Sequence, residues 1–485
     1  MKKQRIASLV LVSSLLASAA HAVDLIAIGS ISGSYEDFAT ETAFPLENGL
    51  PGNCLGGIGS GLAYAGGTTF LALPDRGPNA KAYNALVDDT ASYIPRFHTL
   101  NLSLAPTADP ATGLPFTLTP MLTGTTLLSS RTPLSYGNGS GLGNQVDGVT
   151  PLGSGVPLLN AIDHTHYFSG RSDNFDATKP SSSPKNARFD PEGIRLSNNG
   201  RSVFISDEYG PFLYEFDRAT GERIRAIALP ANLAVAKLSA QGAVEIAGNT
   251  IGRVANKGME GLAITPDGKM LVAAMQANLE QDKKKSLRLV TVDLKTGITH
   301  EYAYQLTDGS GVSEIVAVNN HQFLLDERDG SGLGEFPSIG ETASKAVVKK
   351  LYLIDLAGAT DVSAIAGPNA DLSSYAVKKT LFLDIVGKLN ASGISSYLIP
   401  SKIEGVTFGP DVEIGGGTKH TLFIANDNDF LATVADPLKL PTDATRGKIP
   451  NPNQIYVFAF TDGELPGFVP QQFKRSHDRD VDCRD

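Results

Sequence analysis

Tryptophan is absent from this 485-residue chain, cysteine occurs twice and histidine eight times. Two cysteines are too few to build a cysteine-rich zinc site. Cys54 and Cys483 lie near opposite ends, and in an oxidising compartment they are expected to form one disulfide, with two free thiols as the alternative. Positive charge is scarce: 41 Lys and Arg stand against 51 Asp and Glu, a net charge of −10. That balance excludes a nucleic-acid partner and argues against an anionic membrane surface. Beyond the first 22 residues no run approaches the ~20 apolar residues of a membrane-spanning helix, so no integral membrane segment is expected. The chain has no G-x-S-x-G nucleophile elbow, no P-loop, no dinucleotide fingerprint and no EF-hand loop. Its Gly-Ser-Gly triplets read as flexible turns, and a Ser–His–Asp hydrolase is disfavoured.

The first 22 residues carry an export signal. Lys2, Lys3 and Arg5 precede the apolar "IASLVLVSSLLASAA", and "AHA" at 20–22 fits a small-residue cleavage site. The protein is expected in the periplasm or outside the cell. The 50 glycines and 28 prolines mark frequent turns. Length alone suggests several domains, but closed all-β folds exceed that scale as one unit. The division expected is 1–22 signal peptide, 23–470 one domain and 471–485 a C-terminal tail.

Five segments share one pattern. "SGLAYAGGTTFLALPDRG" begins at Ser60, "EGIRLSNNGRSVFISDEYG" at Glu192, "EGLAITPDGKMLVAAMQAN" at Glu260, "SEIVAVNNHQFLLDERDG" at Ser313 and "EGVTFGPDVEIGGGTKHTLFIANDND" at Glu404. Each runs from a small or acidic residue through an apolar stretch, a Gly/Asn/Asp turn and a second apolar stretch to a polar cluster. That is a β-hairpin, and third strands follow in "FLYEFD", "LRLVTVD", "KLYLIDL" and "QIYVFAF". Repeats of several antiparallel strands read as propeller blades. The expected fold is all-β: a single β-propeller with five clear blades and a sixth from a weaker copy at Asp147–Thr150. The strand "DLIAIGSISG" (24–33) is expected to pair near 454–463 and close the ring. The Gly/Ser/Pro-rich stretches 104–190 and 330–348 are read as long loops.

In a blade the start of the first strand and the end of the second share one face. Reading the repeats as columns places Ser60, Glu192, Glu260, Glu314 and Glu404 in one ring there, and Asp75, Glu208, Gln276, Glu327 and Asp427 in another. Crowded carboxylates need cations or raised pKa values, and hard divalent ions, Ca²⁺ above all, suit oxygen-only clusters. Basic residues adjoin the same columns: Arg76, Arg188, Lys257, Arg328 and Lys402. Arginine beside a metal suggests a small anionic substrate, with Arg76, Arg328 and Lys257 as the residues that hold it.

The segments "GGIGSGLAY…FLALPDRGPN", "RFDPEGIRL…VFISDEYGPFLYEFD" and "MEGLAITPDG" together resemble the esterase-like phytase family of exported propellers. Its wider kin are the calcium-dependent β-propeller phytases, although their D-D-P-A-x-W signature is missing here. The resemblance maps Glu192 and Glu208 onto calcium-ligand positions, with Asp207 beside them. Glu260, Glu327, Glu404 and Asp427 follow as metal ligands from the internal repeat. Asp75, Glu314 and the separate cluster Asp163, His164 and His166 complete the candidates. The expected function is a Ca²⁺-dependent phosphoester hydrolase acting as a monomer. A propeller lactonase or carboxylesterase, or a non-catalytic binding propeller, is the alternative.

Overall fold

The computed structural model describes residues 23–473, apart from 81–89, 138–143, 145–148, 150–152, 154, 337, 368–369 and 440–446. Five antiparallel sheets stand around one axis. The first blade comprises Gly61–Tyr64, Thr69–Leu73, Arg96–Ala105 and Thr117–Leu127, and the second Pro191–Leu196, Ser202–Asp207, Phe212–Asp217 and Arg223–Ala228. The third comprises Met259–Ile264, Met270–Met275, Ser286–Asp293 and Thr299–Gln305, and the fourth Gly311–Ala317, Gln322–Arg328, Lys349–Asp355 and Lys379–Asp384. Lys402–Phe408, Gly417–Asp427 and Asn453–Phe460 begin the fifth blade, which Asp24–Ile31 completes as its outermost strand. That last strand runs antiparallel to its neighbour, with Leu25 opposite Phe458 and Ile28 opposite Tyr456. The ring is therefore closed by hydrogen bonds between the two ends of the domain, as expected.

The blade count is five rather than six. Asp147 lies outside the described residues. Between the first two blades the described chain forms only the two-residue strands Ser129–Ser130 and His166–Tyr167 and the short helix Leu159–Asp163. The expected loop from 104 is also corrected at its start. Thr117–Leu127 pairs with Arg96–Ala105 as the outer hairpin of the first blade, because its Thr- and Leu-rich run suits an edge strand. Among the described residues no helix is long and apolar enough to cross a membrane.

Each interface between blades is its own apolar core. Ile26, Leu62, Phe70 and Val457 join the fifth blade to the first. Phe97, Ile194, Ile205 and Tyr214 join the first to the second, and Leu213, Leu262 and Leu271 the second to the third. Leu289, Ile315 and Leu325 seal the next junction, and Leu324, Ile403 and Phe458 the last. Strands covered on both faces explain the near-continuous apolar runs of the repeats.

The Glu-Gly pairs have a packing cause. The innermost strands approach so closely that a Cβ on Gly193 would lie 2.7 Å from the backbone nitrogen of Leu262. A Cβ on Gly261 would lie 2.8 Å from the backbone of Glu314, and one on Gly405 2.9 Å from the carbonyl of Gly59. Gly193→Ala is expected to destabilise the fold by about 1–3 kcal/mol through overpacking. The denaturant midpoint measures it, and an unchanged midpoint would show that the strands can move apart. Each of these strands also slips register against the second strand beside the glutamate: between Pro191 and Ile194, Met259 and Gly261, Val312 and Glu314, and Ile403 and Val406. A bulge at that point re-aims a side chain at the end of a sheet.

Below these bulges one side chain bridges the innermost strands. Buried Arg195 donates to the carbonyls of Leu62 at 2.7 Å, Ile194 at 2.6 Å, Ile315 at 2.8 Å and Val406 at 3.1 Å, on the innermost strands of four blades. Its Nη2 also pairs with Glu314 Oε2 at 3.0 Å. The chain after the fifth blade then crosses the far opening. The amide of Val469 donates to the Val318 carbonyl at 2.8 Å and Gln471 Nε2 to the Leu196 carbonyl at 2.7 Å.

Candidate metal centre

The acidic mouth starts from Asp190, Glu192 and Glu208, all buried, with carboxylate oxygens within 4.8 Å of one another. Asp190 precedes the innermost strand of the second blade, Glu192 sits at its bulge, and Glu208 follows the second strand. Arg76, from the first blade, ties them together. Its backbone N–H donates to Asp190 Oδ1 at 3.0 Å, its Nη1 to Asp190 Oδ2 at 2.8 Å, and Nη1 lies 4.0 Å from Glu208 Oε2. Glu208 Oε1 accepts the Gly258 N–H at 3.0 Å. Asp207 Oδ1 accepts the amides of Tyr209 at 3.0 Å and Asp190 at 3.2 Å, so this carboxylate fixes the two loops that present the cluster.

Burial dominates the electrostatics. Desolvation pushes the Glu192 carboxyl well up, reinforced by repulsion from Glu260, Asp190, Glu208 and Glu404. Glu208 is raised to about 8 by burial and then by Asp190, and Asp207 to about 7 by burial. Glu260 is also driven well up, by burial and by Glu208 and Glu404. Its Oε1 accepts Gln276 Nε2 at 2.8 Å, while Oε2 is buried without a hydrogen-bond partner. Arg328 completes that side, donating to Glu404 Oε1 and lying 3.9 Å from Glu260 Oε1. The buried, oxygen-only donors of Asp190, Glu192 and Glu208 can hold a hard metal ion, and Glu260 beside them keeps one oxygen unpartnered.

A second group, Asp75, Asp427 and Asp429, also brings its carboxylate oxygens within 4.8 Å of one another. It already holds a cation: Lys402 Nζ donates to Asp427 Oδ2 at 2.7 Å and to Asp429. Asp75 Oδ1 accepts the Gly77 amide at 2.9 Å.

Other expected residues lie elsewhere. Glu327 is in the same column and register as Glu208, but its Oε1 accepts the amides of Thr307, Asp308 and Gly309 at 2.9, 2.7 and 2.7 Å. Its Oε2 takes the Tyr304 hydroxyl at 2.7 Å and Lys379 Nζ. These donors occupy the carboxylate and hold its pKa down against burial, so an ion at Glu327 would have to displace them. Its neighbour Asp326, fully buried with both oxygens unpartnered, feels Arg328, Lys349 and Glu404 instead, because adjacent strand residues face opposite ways. Glu314 lies deeper, on Arg195. Lys257 is exposed, and it is the neighbouring Asn256 that reaches Arg76. Asp163 is engaged by the Tyr167 hydroxyl at 2.7 Å and the Thr165 amide at 3.0 Å, with His164 exposed at the end of a short helix and His166 in a two-residue strand. The described contacts make this a local surface turn. Cys54 is half-buried, and burial pushes its thiol up to about 12; Cys483 lies outside the described residues.

Asp190, Asp326 and Asp429 were missed by the columns. Asp190 was visible in the D-P-E-G segment, two residues before Glu192. Asp429 repeats the aspartate of "NDND" two residues on.

Fold and mouth define a five-bladed propeller with buried acidic clusters at one end of its axis. The chain belongs to the phytase-like family described as esterase-like activity of phytase, which it matches over residues 53–430. It is 26% identical over 317 residues to an uncharacterised secreted protein of the fungus Arthroderma benhamiae, covering 57% of this chain and 58% of that one. The chain thus spans less than two thirds of that relative's length. Among solved structures it is similar to the hydrazine synthase of Kuenenia stuttgartiensis, at 10% identity over 77% of this chain and 78% of that one, with a TM-score of 0.28. It is also similar to the β-propeller domain of Cps50 (Swd1) from Myceliophthora thermophila, at 11% identity over 48% and 50%, with a TM-score of 0.20.

Proposed function

We propose that this protein is an exported, metal-dependent ester hydrolase whose substrates are phosphoesters and whose ion is Ca²⁺. The observation that carries the reading is the buried Asp190–Glu192–Glu208 group beside Arg76 in a phytase-like chain. Export rests on the signal sequence and agrees with the secreted relative. Asp190, Glu192 and Glu208 would hold the ion. The Asp75–Asp427–Asp429 group is the lesser candidate, because an ion there must displace Lys402.

A bound divalent ion supplies charge for the developing negative oxygens and lowers the pKa of water. The protein's own groups supply the rest. Arg76 and Arg328 orient an anionic substrate at the rim of the carboxylates. Glu260, with one buried oxygen unpartnered, is placed to accept a proton. Asp207 keeps Asp190 and Glu208 in register as a positioning residue.

Carboxylic esters are the second reading, favoured by the esterase-like description of the family. EDTA stripping followed by Ca²⁺ return separates the readings. Hydrolysis of p-nitrophenyl phosphate is expected to fall at least about tenfold on stripping and to recover with Ca²⁺. Cleavage of p-nitrophenyl acetate alone would move the protein to the second reading. Undiminished turnover in verified metal-free protein would refute the metal dependence.

A further inference from the structure

A narrow cleft next to the acidic cluster is lined by Arg76, Arg188 and Arg253, with Glu245 and Asn256 in its wall. Arg188 and Arg253 are 4% and 5% exposed. Both are held rigidly. The Arg188 guanidinium lies 4.9 Å from the ring of Phe175 and 5.1 Å from that of Tyr209, and Nη1 donates to the Ser172 carbonyl at 3.3 Å. Arg253 Nε donates to the Tyr209 carbonyl at 2.9 Å, and its Nη1 pairs with Glu245 Oε1 at 2.7 Å.

The cleft has more positive charge than its own anion meets. Glu245 serves Arg253 closely but stands 3.8 Å from Arg188 Nη2. That nitrogen and Arg76 Nε are buried without a hydrogen-bond partner. Burial lowers the Arg188 pKa despite Glu245, and Arg253 lowers it further. Buried N–H groups left unmet are costly, and guanidinium forks are satisfied best by ionised oxygens. A planar carboxylate meets one fork, whereas a tetrahedral oxyanion presents oxygens to several.

We propose that Arg76, Arg188 and Arg253 form a binding site for a phosphate group, either a phosphoryl group of the substrate or the released phosphate. The inference rests on the phosphoester reading and names the part of the chain that recognises the anion. Arg76 belongs to both sites, since Nη1 rests on Asp190, so the bound phosphate lies directly beside the carboxylate cluster.

Calorimetric titration of inorganic phosphate into the EDTA-treated full chain tests the site without metal. Saturable binding is expected, weaker by about tenfold or more in Arg188→Met and Arg253→Met and intermediate in Arg188→Lys, which keeps charge but loses the fork. Acetate is expected to bind at least about tenfold more weakly than phosphate. Asn256→Asp is suited to the folded chain, because the position is exposed and Asp tolerates its left-handed backbone (φ 56°). It sets a competing carboxylate on Arg76 and is expected to weaken phosphate binding. Absence of saturable binding, equal affinity in Asn256→Asp and the folded arginine variants, or equal affinity for acetate overturns the proposal. Competition by p-nitrophenyl phosphate for the same site assigns it to the substrate group, and binding of inorganic phosphate alone to the product. Phosphate binding without hydrolysis of p-nitrophenyl phosphate would refute the proposed function and leave the cleft. Metal-dependent turnover without phosphate binding under EDTA would do the reverse.

Discussion

Glu208→Gln is expected to weaken Ca²⁺ binding by about 10–100-fold or more and to carry hydrolysis down with it. The substitution keeps the shape of the side chain and removes one of three carboxylates whose oxygens lie within 4.8 Å. The same change should make the metal-free protein more stable. Burial first, and repulsion from neighbouring carboxylates second, raise the pKa values of Glu192 and Glu208, and a neutral amide relieves both costs. Opposite signs for ion affinity and metal-free stability distinguish a ligand from a purely structural acid. Glu327→Gln provides the contrast. Its carboxylate serves Lys379, Tyr304 and three backbone amides, so stability should fall while Ca²⁺ affinity holds. Calorimetric Ca²⁺ titration and urea unfolding of both variants read these differences. Equal Ca²⁺ affinity in wild type and Glu208→Gln would remove Glu208 from the site.

Arg195→Met is expected to cost about 3–5 kcal/mol, the usual effect of removing one partner from a buried ion pair. Arg195 lies where the innermost strands converge, donating to carbonyls on four of them and pairing with Glu314. Methionine fills part of the volume but leaves those carbonyls without that donor, and leaves Glu314 Oε2 without its cation. The remaining partners of Glu314, the amides of Leu262 and Ile315 at 2.9 Å, both bind Oε1. Adding Glu314→Gln should recover part of the loss, because a neutral amide is cheaper to bury than a lone carboxylate. The shift in denaturation midpoint measures both variants. A single variant as stable as wild type would show that water replaces the guanidinium on the axis.

The architecture was legible because hairpin repeats carry their period in the sequence. The apolar runs in "EGIRL" and "VFISD", with Asn-Asn-Gly between them, fix strand direction and the shared edge. Terminal closure was legible too, since "DLIAIGSI" and "QIYVFAF" are strands without partners of their own in sequence. The sixth blade was misread because Asp-Gly-Val-Thr imitates the repeat opening over four residues, too short a match to imply a hairpin. The outer strand Thr117–Leu127 was overlooked because its threonines dilute the apolar alternation, as suits an edge.

At the site, the glutamate columns placed Glu192, Glu208, Glu260 and Glu404 at one mouth, and the structure brings them near enough to shift one another's ionisation. Arg76 and Arg328 joined them, whereas Lys257 did not. Sequence alone determined the five repeated hairpins, their order and the end of the axis at which acids gather, because strand period and turn chemistry act over a few residues. Only the tertiary structure decided which acids share a site. Glu208 and Glu327 occupy equivalent positions, yet one faces Asp190 and Glu192 while the other is neutralised by Lys379. The deciding partners arrive from other strands and blades, as Arg76 does to Asp190 across 114 residues. Pairing at that separation is set by how whole blades pack, and no local pattern encodes it.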